Sequence, residues 1–134
     1  MYRNKKINSR PVMAVLVSNT SIISLRNQIF IPRIQILVEA NKEINNILYY
    51  FSLNQVRLKE RKITGYYWHR SYQKWLRQEF SFPDILYIRG GIEKRYYQTF
   101  KELCNIINHN NGKVINRQRF NKWQLHPRPN NLIL

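Results

Sequence analysis

The chain is short of several things: one cysteine, Cys104, four glycines, and seven acidic residues among 134. A single thiol makes no intrachain disulfide and no cysteine-based zinc cluster. Long apolar runs are missing too. The longest, Val12-Met13-Ala14-Val15-Leu16-Val17, falls far short of the ~20 residues of a membrane-spanning helix. The basic start Met1-Tyr2-Arg3-Asn4-Lys5-Lys6 is not followed by the apolar segment and small-residue cleavage site of a secretory leader. No repeat and no Gly/Ser-rich or Pro-rich linker divides the chain. What is present is 43% hydrophobic and 13% aromatic residues, enough to bury a core, with 23 Lys+Arg giving a formal charge of +16. Disorder combines high charge with few apolar residues, and here only the charge is found. The length fits one domain. The expectation is a soluble, basic, cytoplasmic domain.

Residues 1–11 read as a flexible basic arm, residues 12–126 as the folded domain, and residues 127–134, with Pro127 and Pro129, as an irregular tail. Residues 12–17, 47–51, 85–88 and 113–116 are short β-prone runs. The first is apolar on both faces, as in a sheet covered on two sides. Ser18-Asn19-Thr20-Ser21 reads as a loop. Residues 28–41 read as a helix with Pro32 in its first turn and Ile31, Ile34, Leu37 and Val38 on one face. Ile92, Tyr96, Phe100, Leu103 and Ile107 form one stripe at helical spacing, stopped by Asn111-Gly112. Residues 56–58 and 63–67 predict a small hairpin insertion with a charged tip, and residues 72–77 and 120–125 predict helical turns. The order β-α-β-(hairpin)-β-α-β predicts an α/β fold with a four-stranded, mostly parallel sheet and flanking helices.

In open parallel sheets, ligands bind beyond the carboxyl ends of the strands. Ser18-Asn19-Thr20-Ser21, Arg89-Gly90-Gly91 and Asn116-Arg117 fall there. Gly90 and Gly91 between a strand and a helix suit backbone N–H groups aimed at a phosphate or carboxylate, with Arg89 as a forked cation. The plainer reading is a tight turn, and no dinucleotide or P-loop glycine pattern is present. His69, His109 and His126 lack ligand spacing, so no metal is expected. Cys104, beside the helix stripe, reads as a filler, and Asp84 after Pro83 as a turn or pairing residue rather than a base. No catalytic residue is assigned. Cations and aromatics together suit nucleic acid, but the cations run from Arg3 to Arg128 without a stripe. Binding to nucleic acid is therefore expected to be nonspecific.

Pro83-Asp84-Ile85-Leu86-Tyr87-Ile88-Arg89, followed by a helix and then Ile115-Asn116-Arg117-Gln118-Arg119-Phe120-Asn121-Lys122-Trp123-Gln124-Leu125-His126, resembles the YheC/YheD family of endospore coat-associated ATP-grasp proteins. Looser matches run upstream: Val15-Leu16-Val17-Ser18, Glu39-Ala40-Asn41, Tyr50-Phe51-Ser52 and Ile63-Thr64-Gly65. The resemblance implies a Rossmann-like preATP-grasp domain, forming the acceptor-substrate side of a cleft. Arg89, Asn116 and Lys122 are the residues it carries over. Ile88 stands where the family has Asn, Ile115 where it has Phe, and Asn121 where it has Asp. The chain ends eleven residues after Trp123. The expectation is thus a truncated or stand-alone domain with no cofactor of its own, ATP and magnesium belonging to a full-length relative. A small acidic ligand, an ATP-grasp subunit or a spore-coat protein are its expected partners. The alternatives are a basic nucleic-acid-binding protein or one half of a split ATP-dependent ligase.

Overall fold

The structure, a computed structural model, describes residues 10–90 and 92–116. Most of the expected arm, Gly91, Arg117, Lys122, the 120–125 turn and the 127–134 tail lie outside the described residues. The elements in chain order are β1 (Val12–Leu16), α1 (Asn19–Arg26), α2 (Pro32–Ile44), β2 (Ile47–Phe51), β3 (Val56–Arg57), β4 (Lys62–His69), β5 (Lys74–Ser81), β6 (Ile85–Ile88), α3 (Tyr97–His109) and β7 (Lys113–Ile115). Among the described residues the strands form one sheet of seven, ordered β3-β4-β2-β1-β6-β7, with β5 on the far side of β4.

The four expected strands form the parallel part: β1 pairs parallel with β2 and with β6, and β6 with β7. Side chains alternate through this part as a two-faced sheet requires. Ala14, Leu16, Tyr49, Phe51, Leu86 and Ile88 pack on one face with Phe100, Leu103 and Ile107 of α3. Val15, Val17 and Tyr50 pack on the other with Ile22 and Leu25 of α1 and Ile34 and Val38 of α2. Pro32 is the first residue of α2, where its missing N–H leaves no bond unmade.

Two expectations need correction. The four-stranded Rossmann-like sheet with a small hairpin insertion is a mixed seven-stranded sheet. The hairpin joins it, because β4 runs antiparallel to β2 and pairs with β5 over eight positions from Lys62↔Ser81 to His69↔Lys74. Residues 72–77, read as a helical turn, hold the reversal and the start of β5. Only Trp75 and Phe80 of that strand are buried, so a mostly exposed strand shows little apolar alternation. The second correction is α1, which occupies the segment read as a loop. Ser18 caps it, its Oγ accepting the Ser21 N–H at 3.2 Å.

Gln28 links the two helices to the hairpin. Its side-chain amide donates to the Trp75 carbonyl at 3.0 Å and accepts the Trp75 N–H at 2.9 Å, which satisfies part of the β5 edge. Gly65 is needed at the seam. A Cβ there would lie 2.5 Å from the Tyr49 ring and 2.9 Å from the Tyr50 carbonyl, and that ring stacks on Phe80 at 4.0 Å. Asp84 serves as a pairing residue: its carboxylate accepts the Val12 N–H at 2.9 Å at the start of β1. No helix among the described residues is long and apolar enough to cross a membrane.

Candidate functional site

Strands β2, β1 and β6 finish level with one another, since Leu16 is in register with both Phe51 and Ile88. The loops beyond them are drawn tightly together. Arg89 and Gly90 both donate their N–H groups to the Leu16 carbonyl, at 2.9 and 3.0 Å, and Val17 donates to Phe51 at 2.9 Å. A Cβ on Gly90 would sit 2.8 Å from the Ser18 nitrogen. Gly90 is therefore there for close approach, and its φ is not left-handed.

That geometry corrects the reading of the glycine pair as outward-facing donors at a helix start. The Gly90 N–H is spent on Leu16, and α3 begins only at Tyr97, after a 3-10 turn at Lys94–Tyr96. The plainer reading, a tight turn, describes Gly90. Gly91 lies outside the described residues.

Beside this turn is a cavity of about 190 Å³ whose polar wall is Ser18, Ser21, Arg33, Arg89 and Gly90. Its floor is Val15, Val17, Ile34, Leu37 and Tyr50. Arg33 comes from the first turn of α2, which the crossover brings to the carboxyl edge of the strands. Arg89 follows β6, and its guanidinium lies 5.5 Å from the Tyr87 ring centroid with Nη1 donating to the Tyr87 hydroxyl at 3.4 Å. Neither arginine pairs with a carboxylate among the described residues. The Tyr50 hydroxyl, buried below, donates to the Ile34 carbonyl at 3.3 Å. Burial holds its phenol well above the usual value; Arg89 pulls it part of the way back, and Tyr87 pushes it up. The floor thus stays neutral while the wall is cationic. Two guanidinium forks and two hydroxyls around a small volume suit one carboxylate or phosphate group.

Of the residues singled out from sequence, the structure brings Arg89 and Gly90 to this cavity, along with Ser18 and Ser21 from the first crevice segment. Asn116 follows β7, one strand beyond β6, and does not line it. Lys122 lies outside the described residues. Arg33 was missed. The signal was available, because the first turn of a crossover helix faces the carboxyl ends of the strands and Pro32 marks that turn.

Elsewhere, Cys104 packs half-buried against the α3-side core, and burial pushes its thiol up to about 11. Among the described residues no three His, Cys, Asp or Glu side chains gather to hold a metal ion, and no carboxylate lines the cavity. The cavity's polar lining, guanidinium groups and hydroxyls with no carboxylate among the described residues, does not fit magnesium.

Fold and cavity together define a mixed α/β domain with a cation-walled crevice at the carboxyl edge of its parallel strands. Comparison of the chain with protein-family models, curated proteins and solved structures finds no match.

Proposed function

We propose that the chain is an anion-binding domain of the preATP-grasp kind, resembling the YheC/YheD spore-coat proteins, that holds a small acidic ligand and performs no catalysis of its own. An ATP-grasp subunit or a spore-coat protein is the partner this reading calls for. One observation carries it: Arg33 and Arg89, without carboxylate partners among the described residues, meet at one small cavity with Ser18 and Ser21. The departure from the family at Ile88 removes a polar group beside Arg89 and counts against a binding role inherited from the family. Ile88 is buried in the α3-side core, so the polar duty at that strand end falls to Arg89 alone.

The test is thermal unfolding with inorganic phosphate and small dicarboxylates. A ligand at ten times its Kd stabilises by about 1.4 kcal/mol, a shift of several degrees in a domain of this size. Arg89→Gln and Arg33→Gln are each expected to remove that shift while leaving the melting point without ligand in place. A wild-type protein blind to every anion, or variants that keep the full shift, contradict the reading. Mg-ATP turnover by the purified chain also contradicts it.

A further inference from the structure

A second and larger cavity, of about 390 Å³, lies in the antiparallel half. It exists because β2 and β4 pair at a single position, Tyr50↔Tyr66, whereas β4 stays paired with β5 as far as His69↔Lys74. The first half of β2 and the last half of β4 therefore diverge, leaving a cleft of a size typical for ligand sites.

Its walls differ in chemistry. Tyr67, Trp68 and His69 supply flat rings from β4. The opposite wall is the turn between α2 and β2, where the Arg10 guanidinium donates to the Asn45 carbonyl at 2.9 Å and the Asn46 carbonyl at 3.3 Å. Arg70 stands at the rim, and no carboxylate lines the cleft among the described residues. The aromatic surface continues outward. Tyr72, 65% exposed, stacks on His69 at 4.2 Å and 17°, with the Lys74 ammonium 5.9 Å from its ring. Arg70 and Lys74 of the hairpin tip thus stand beside the stacked rings of His69 and Tyr72.

We infer that this cleft and its rim bind single-stranded nucleic acid, with bases on the rings and a phosphate at Arg70. Flat rings with cations and no carboxylate match a base and its phosphate. The outward run from the cleft to Tyr72 offers more than one stacking surface, which favours a strand over a free nucleotide.

The test uses fluorescence anisotropy of a labelled, mixed-sequence single-stranded DNA with the full chain at rising salt. Tyr72→Ala is expected to weaken binding about tenfold. Arg70→Ala is expected to weaken it several-fold and to lower the salt slope by about 0.7, one phosphate contact. Lys113→Ala, on the opposite sheet edge, is expected to change little. Equal losses for Arg70→Ala and Lys113→Ala, with none for Tyr72→Ala, would show binding by bulk charge and overturn the inference. A duplex of the same sequence binding as tightly, or adenosine monophosphate competing as well as the strand, overturns it too. Tyr72 and Arg70 are exposed, so unchanged circular dichroism is expected and separates lost binding from lost fold.

Discussion

The two halves of the sheet are built on opposite principles. In the parallel half, β1 is paired on both sides, over five positions with β2 and four with β6, and helices cover both faces. In the antiparallel half, β4 pairs with β5 over eight positions but with β2 at one. A closed sheet has no room between its strands, so its crevice lies beyond their ends, where the start of α2 and the loop after β6 bring Arg33 and Arg89 together. A splayed sheet opens between its strands instead, and its cavity is walled by the rings that closed pairing would have packed away. The difference places a small cationic pocket in one half and a broad aromatic cleft in the other.

Substitutions can break or sharpen this contrast. The largest loss is expected in the parallel half. Leu103, fully buried under the sheet, becomes a cavity in Leu103→Ala, which is expected to cost about 3 kcal/mol in urea unfolding. A loss under half of that would mean that α3 is not the main cover of that face. At the seam, Gly65→Ala forces a methyl group against the Tyr49 ring and the Tyr50 carbonyl, at an expected cost of about 2 kcal/mol. If it is neutral, the seam is looser than the Tyr49–Phe80 stack implies. Next comes a pH effect. Burial raises the Cys104 thiol from near 9 to about 11, so the folded state favours the neutral thiol. That contribution is intact below pH 9 and is lost as pH rises towards 11. Cys104→Ala is expected to flatten this decline, and equal alkaline slopes in the two proteins would contradict it. The smallest stability effects belong to the two proposed sites. Arg89→Gln and Tyr72→Ala are each expected to stay within about 0.5 kcal/mol of the wild type, since both side chains are exposed.

The same contrast explains what could be read from the sequence. Residues 12–17, 47–51 and 85–88 sit in a sheet covered on both faces, so they are apolar and stand out. The α3 stripe stands out for the same reason, as Phe100, Leu103 and Ile107 fill one core. β5 left no such trace, because Arg77, Gln78 and Glu79 are exposed and its partners are supplied by β4 and by the Gln28 side chain. The helix α1 was hidden by its polar first turn, although Ser18 as a cap followed by buried Ile22 and Leu25 is the pattern of a helix start. At the site, Arg89 was legible as the residue after a strand, Arg33 only through the helix that carries it. The aromatic cleft was not legible at all. It depends on where two strands stop pairing, and no single segment records that.

The most direct measurement follows the backbone amide NMR spectrum of the full chain during two separate titrations, one with inorganic phosphate and one with single-stranded DNA. Phosphate is expected to shift Ser18, Ser21, Arg33, Arg89 and Gly90 while leaving Trp68, Arg70 and Tyr72 in place, and the DNA strand is expected to do the reverse. Two ligands that move one common set of amides, or that move the whole basic surface alike, would contradict the division of the molecule into a closed half and a splayed half with separate sites.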